Sequence, residues 1–152
     1  MEGLQIEREV LIDAPVEVVW ETITEPEQIA QWFAERVELD LAPGGRGVLV
    51  FERDTGETIA PLVVVQVSPP DLFSFRWGHP EGEEPTVGNS CLVEFSLRPA
   101  AGGRTRLRVS ETGLDRTDWD DSTKADYAAD HRRGWTTLTD RLVARFAPTD
   151  GE

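Results

Sequence analysis

The last third of the chain constrains the fold most. From Trp119 to Phe146, the residues Tyr127, His131, Trp135, Leu138 and Leu142 recur at intervals of three and four. That spacing puts them on one stripe of a long helix. Asp115, Asp118, Asp120 and Asp121 stand just before it, where carboxylates cap free amides and complement the helix dipole. Their spacing does not match a calcium-binding loop. Almost everything upstream reads as strands separated by turns. An apolar helix stripe needs a second layer to bury it. After a run of antiparallel strands, a sheet that curls around the helix meets that need, and such a sheet can enclose a cavity.

The strands show themselves by alternation. Ile6, Arg8, Val10 and Ile12 share one face, with Glu7, Glu9 and Asp13 opposite. Asp13-Ala14-Pro15 stops this strand and opens a helix carrying Val16, Val19, Trp20 and Ile23, with Asp13 or Ala14 in the cap region. Glu25-Pro26-Glu27 breaks it and starts a second short helix, with Ile29, Trp32 and Phe33 as its apolar face. Strands follow around Val37–Leu41, Val48–Arg53, Thr58–Val67, Leu72–Trp77, Ser90–Leu97 and Arg104–Thr112. Turns such as Ala42–Gly47 and Ser68–Asp71 separate them. Pro61 suggests an edge strand or a bulge. Glu81–Pro85 is an acidic, exposed loop, and 148–152 reads as a disordered tail after a single domain over 1–147.

Composition narrows the function classes. The chain has 152 residues, a length at which one domain buries roughly 70% of its unfolded surface. Its net charge is −14, from 29 acidic against 15 basic residues, and a field of that sign repels phosphate backbones. Nucleic acid and anionic membrane are therefore not expected partners. Cys91 is the single cysteine, and the N-terminus lacks an apolar signal core. A cytoplasmic protein without disulfides is the expectation. No cofactor or metal motif appears: Gly44-Gly45-Arg46-Gly47 lacks the strand and helix of a dinucleotide fingerprint, and two histidines exclude a histidine-rich metal site.

Several segments, in order and spacing, resemble a known family. They are IDAPVEVVWETITEPEQIAQWF (12–33), PGG (43–45), PPDLFSFRW (69–77), VEFSLRP (93–99), TRLRVSETG (105–113) and GWTTLTDRL (134–142). The chain is similar to the START-like, polyketide-cyclase-like (SRPBCC) helix-grip superfamily. Within it, the chain resembles bacterial relatives of the Hsp90 ATPase activator. The resemblance implies an α+β helix-grip fold: an antiparallel sheet of about seven strands wrapped around the C-terminal helix, with two short helices after strand 1. It also implies a hydrophobic cavity between sheet and helix, and a stress-response setting for the activator branch. It implies no single chemistry, since one fold hosts many functions.

Alternation points to the inward side chains. Phe73, Phe75 and Trp77 share a face, as do Cys91, Val93, Phe95 and Leu97. Leu49 pairs with Phe51, and Thr105, Leu107 and Val109 share their face with Glu111. A carboxylate there must be hydrogen-bonded, paired or protonated. In a dry cavity its pKa rises, which suits a general acid or base. A frayed position in water, or a salt bridge to an arginine, are the alternatives. His131 lies on the helix stripe, where it either meets a ligand or is a satisfied buried histidine. Trp32, Phe33, Trp77 and Trp119 fit the rim, and His79 the loop beside it. The expected ligand-binding set is Trp32, Phe33, Phe51, Phe75, Trp77, Phe95, Val109, Glu111, Trp119, Tyr127, His131 and Trp135. The alternative is that these side chains fill the space themselves.

Three functions fit this reading. The first is binding of a small hydrophobic or aromatic molecule. The second is a cyclase- or hydrolase-type enzyme using Glu111 and His131 as acid and base. The third is an interaction module with a chaperone as partner. A monomer or a weak homodimer is expected.

Overall fold

The computed structural model describes residues 4–80 and 82–147. The expected disordered tail, 148–152, and Glu81 of the acidic loop lie outside the described residues. Seven strands form one antiparallel sheet: β1 (Ile6–Ile12), β2 (Arg36–Leu39), β3 (Arg46–Arg53), β4 (Gly56–Ser68), β5 (Leu72–Trp77), β6 (Cys91–Ala100) and β7 (Arg104–Thr112). Their order is β1-β7-β6-β5-β4-β3-β2. Only β1 lies out of sequence order, because two helices, α1 (Val16–Thr24) and α2 (Pro26–Ile29), carry the chain from one edge of the sheet to the other. The long helix α3 (Asp121–Phe146) follows the last strand. This is the α+β helix-grip arrangement expected from the sequence. No helix among the described residues is long and apolar enough to cross a membrane.

Local chemistry accounts for the helix ends, with corrections. Pro15, not Asp13 or Ala14, is the N-cap of α1, and no side chain caps it. The helix stops at Thr24 because Glu25 precedes Pro26, and proline disfavours helical backbone in the residue before it. Pro26 then serves as the first residue of α2. That helix ends at Ile29, so Trp32 and Phe33 follow it in a turn instead of forming its face. Trp119 also lies outside α3, which begins at Asp121. The Asp120 carboxylate caps it by accepting the Thr123 N–H at 2.7 Å, and this bond holds its pKa below the ordinary value.

Pro61 is not on an edge strand. It pairs with Val48 of β3, and β4 sits inside the sheet. However, β4 meets β5 only from Leu62 onward. The Gly56–Pro61 stretch therefore overhangs with a neighbour on one side, which a residue lacking an N–H tolerates. The register shift in β4 falls further on, between Val64 and Gln66.

The inner face of the sheet carries the core. Register aligns Ile6, Glu111, Val93, Phe75 and Val64 in one row across five strands. The apolar members of that row are all buried, and so is the carboxylate among them. Helix α3 lies over this face and buries Ala128, Trp135, Thr139 and Leu142. A fully buried leucine such as Leu142 contributes about 1.5–3 kcal/mol. Arg8 tethers the helix to β1: its Nε donates to Thr139 Oγ1 at 2.7 Å and its Nη2 pairs with Asp140 at 2.8 Å.

Candidate functional site

The site is organised around one carboxylate. Glu111 is 1% exposed, and each of its oxygens accepts two hydrogen bonds. Oε2 takes the Trp77 indole N–H at 2.7 Å and the Tyr127 hydroxyl at 2.5 Å. Oε1 takes the Trp135 indole N–H at 2.8 Å and sits 2.9 Å from His131 Nδ1. Strand β7 supplies the acceptor, β5 one donor, and α3 three donors at positions four apart, all on one stripe of the helix. An ionised carboxylate offers about four lone-pair positions, so its capacity is filled.

This arrangement corrects the expected electrostatics of Glu111. The residue is neither in water nor paired with an arginine; its ionisable partner is His131, which forms a salt bridge only when the ring is protonated. Burial alone would raise its pKa. The hydrogen bond and charge of His131, with the bonds from Tyr127 and Trp135, outweigh burial and hold the carboxyl below its ordinary value. The same charge acts on its neighbours. Burial first, and Glu111 second, push the Tyr127 phenol well above its usual range. They also raise the Cys91 thiol to about 12. Cys91 is fully buried and inert in that state.

The tautomer of His131 follows from the same bonds. A carboxylate already accepting hydrogens cannot donate one, so Nδ1 carries the proton towards Glu111. In the neutral ring, Nε2 is then an acceptor. Two aromatic neighbours hold the ring: Tyr127 stacks on it with centroids 3.7 Å apart, and Trp77 makes an edge-type contact with it at 5.4 Å.

A groove of about 580 Å³ runs past this ring. Its aromatic floor is Phe33, Phe51, Trp77 and Trp135, which interlock at centroid distances of 5.4–5.9 Å. The overhanging end of β4, from Thr58 to Pro61, forms one wall. Tyr127, His131, Gly134, Leu138 and Arg141 of α3 form the other. Glu35, Glu52, Asp130 and Arg133 stand around it. His79 also lines it; the residue is 6% exposed and its Nδ1 is buried without a hydrogen-bond partner among the described residues. Burial lowers the pKa of His79; Glu84 opposes that shift and Arg46 adds to it.

Six residues of the expected ligand-binding set line this groove: Phe33, Phe51, Trp77, Tyr127, His131 and Trp135. The structure places the other six elsewhere. Phe75, Phe95 and Val109 are buried in the packed interior of the grip, where Phe73, Phe75 and Phe95 lie within 6.3 Å of one another. Trp32 is buried with its N–H on the Thr22 carbonyl. Glu111 lies behind the groove wall, and Trp119 packs on Tyr127 outside it. The interior of the grip is thus filled, and the open space lies at one end. Alternation did not single out Ala60, Pro61, Gly134 or Arg141. Pro61 and Gly134, each unusual within its element, were the available signals. No group of three or more metal-ligating side chains occurs among the described residues.

Comparison with known proteins agrees with this architecture. Protein MLL2253 from Mesorhizobium loti superposes with a TM-score of 0.73 at 22% identity, covering 92% of this chain and 94% of that one. DynU16, described as a protein in the dynemicin biosynthetic locus, gives 0.71 at 26% identity; the match covers 92% of this chain but 46% of DynU16. The Aha1 dimer from Colwellia psychrerythraea gives 0.72 at 16% identity over 97% and 98% of the two chains. No curated protein matches the chain. The sequence pattern described as Activator of Hsp90 ATPase homolog 1-like protein matches residues 13–147, and the chain belongs to that family.

Proposed function

We propose that the protein binds a small hydrophobic or aromatic molecule in the groove between the end of the sheet and α3. The observation that carries this reading is the groove itself. Its volume of about 580 Å³ suits a drug-sized ligand. Its floor is aromatic, and among its polar wall groups His131 is held in place by Glu111. Apolar floors with few fixed polar groups are the usual design of such sites. We take 1–147 as one domain acting in the cytoplasm. The test is a titration with aromatic polyketides, flavonoids, sterols and fatty acids, followed by amide and indole NMR shifts. Saturable shifts of the Trp77 and Trp135 indoles are expected. A well-folded spectrum that no compound perturbs would remove the proposal.

A second reading is supported by the Glu111–His131 pair. A carboxylate that orients an imidazole, with the other ring nitrogen towards a groove, is the geometry of a general base. Turnover of a bound compound that disappears in His131→Gln while binding persists would establish it. A third reading, a chaperone-binding module, draws on family membership alone. Co-purification of a stoichiometric partner would favour it.

A further inference from the structure

Gly134 lines the groove in the middle of α3, and its backbone needs no glycine. Its φ is ordinary, since it is not among the glycines with positive φ. A Cβ added there would meet nothing within 4 Å. A glycine inside a helix costs about 1 kcal/mol relative to alanine, and here no packing or turn requires it. What the missing side chain provides is a bare stretch of helix backbone one turn beyond His131, beside the aromatic floor of Phe33, Trp77 and Trp135.

The charge around this seat narrows the ligand further. Three carboxylates line the groove (Glu35, Glu52 and Asp130) against two arginines, Arg133 and Arg141. Arg133 already faces Asp130 at 3.8 Å. The protein as a whole carries −14. An anionic ligand gains nothing from such surroundings. One fixed polar group a turn from Gly134 is His131, whose Nε2 is an acceptor whenever the ring is neutral, because Glu111 holds the proton on Nδ1.

We propose that the groove is built for a flat, uncharged aromatic molecule bearing a hydroxyl group, seated over Gly134 with that hydroxyl donating to His131 Nε2. The inference rests on the small-molecule reading above and adds the ligand's shape, its charge and its hydrogen-bonding group.

The test uses three probes of one ring system near neutral pH: 2-naphthol, 2-methoxynaphthalene and 2-naphthoate, titrated against tryptophan fluorescence of the full chain. 2-Naphthol is expected to bind about tenfold more tightly than the methoxy compound, as one hydrogen bond implies, and more tightly than the carboxylate. His131→Phe keeps a ring on Tyr127 and is expected to bring the naphthol-to-methoxy ratio to about one. Gly134→Leu is expected to abolish binding while leaving the thermal midpoint unchanged or raised. Equal wild-type affinity for naphthol and methoxynaphthalene would overturn the hydroxyl assignment and leave the binding reading intact. Preference for naphthoate would overturn the charge argument. Undiminished binding by Gly134→Leu would overturn the seat. Failure of all three probes to bind the wild-type chain would overturn the inference, while saturable indole shifts with a sterol or a fatty acid would keep the reading beneath it.

Discussion

Replacing Glu111 by glutamine keeps the shape of the side chain and exchanges one acceptor oxygen for an NH2 donor. Tyr127 and His131 can adapt, since a hydroxyl accepts as well as donates and an imidazole can move its proton. The two indoles cannot, because Trp77 and Trp135 only donate. They sit on different oxygens of Glu111. Either orientation of the amide therefore leaves one buried indole N–H facing an NH2 group. An orphaned buried donor costs about 1–3 kcal/mol, and the remaining bonds lose their charge assistance. The expected loss is about 2–4 kcal/mol, measured by urea unfolding followed by circular dichroism. The pH dependence supplies the second readout. The folded pKa of Glu111 is depressed, so its stabilisation is complete above its unfolded value of about 4.3 and disappears as pH falls through the folded value. The gap between wild type and Glu111→Gln should close as pH falls below the unfolded value and through the folded one. A glutamine variant within about 0.5 kcal/mol of wild type at neutral pH, or a gap that stays open in strong acid, would refute the four-donor account.

Three further outcomes follow from the same geometry. Gly78 has φ +88°, and an added Cβ would stand 2.9 Å from the Tyr127 hydroxyl; Gly78→Ala should lose about 1–3 kcal/mol in the same unfolding assay. Cys91, with its thiol raised to about 12 and no exposure, should resist thiol reagents at mildly alkaline pH and react at once in denaturant. Asp120→Ala removes the acceptor of the Thr123 N–H and should lower the thermal midpoint, whereas Asp120→Asn, which keeps an acceptor oxygen, should lower it less.

Much of the architecture is legible in the sequence because it is carried by local periodicity. Alternation placed Phe75, Trp77, Val109 and Glu111 on inner faces, and the three-and-four spacing of α3 put Tyr127, His131 and Trp135 on one stripe. What periodicity cannot supply is register between distant elements. Glu111 meets Trp77 across 34 residues and Trp135 across 24, and only the β5–β6–β7 pairing with the rotation of α3 decides that they touch. The lowered pKa of Glu111 is not legible for that reason: burial can be read from the strand pattern, but the donors that outweigh it cannot. A hint was nevertheless present. Trp77, Tyr127, His131 and Trp135 each end an apolar body with an N–H or O–H, and a buried carboxylate is the acceptor that could satisfy all four. The division of the grip into a filled interior and an open end is set by side-chain volumes in three dimensions. Phe75, Phe95 and Phe33 look alike in sequence, yet the first two fill the interior and the third faces the groove.

The convergence on one carboxylate also bears on how such a chain can change over generations. Residues sharing one network do not act additively. With Glu111 in place, the polar tips at positions 77, 127, 131 and 135 are all satisfied. Without it, the two indole N–H groups become buried liabilities. A chain that lost the acid would gain stability by giving up both indoles. These five positions therefore form a single energetic unit, in which the effect of one substitution depends on the other four. Because His131 belongs to that unit, the groove inherits its polar wall from a constraint that acts on the folded core.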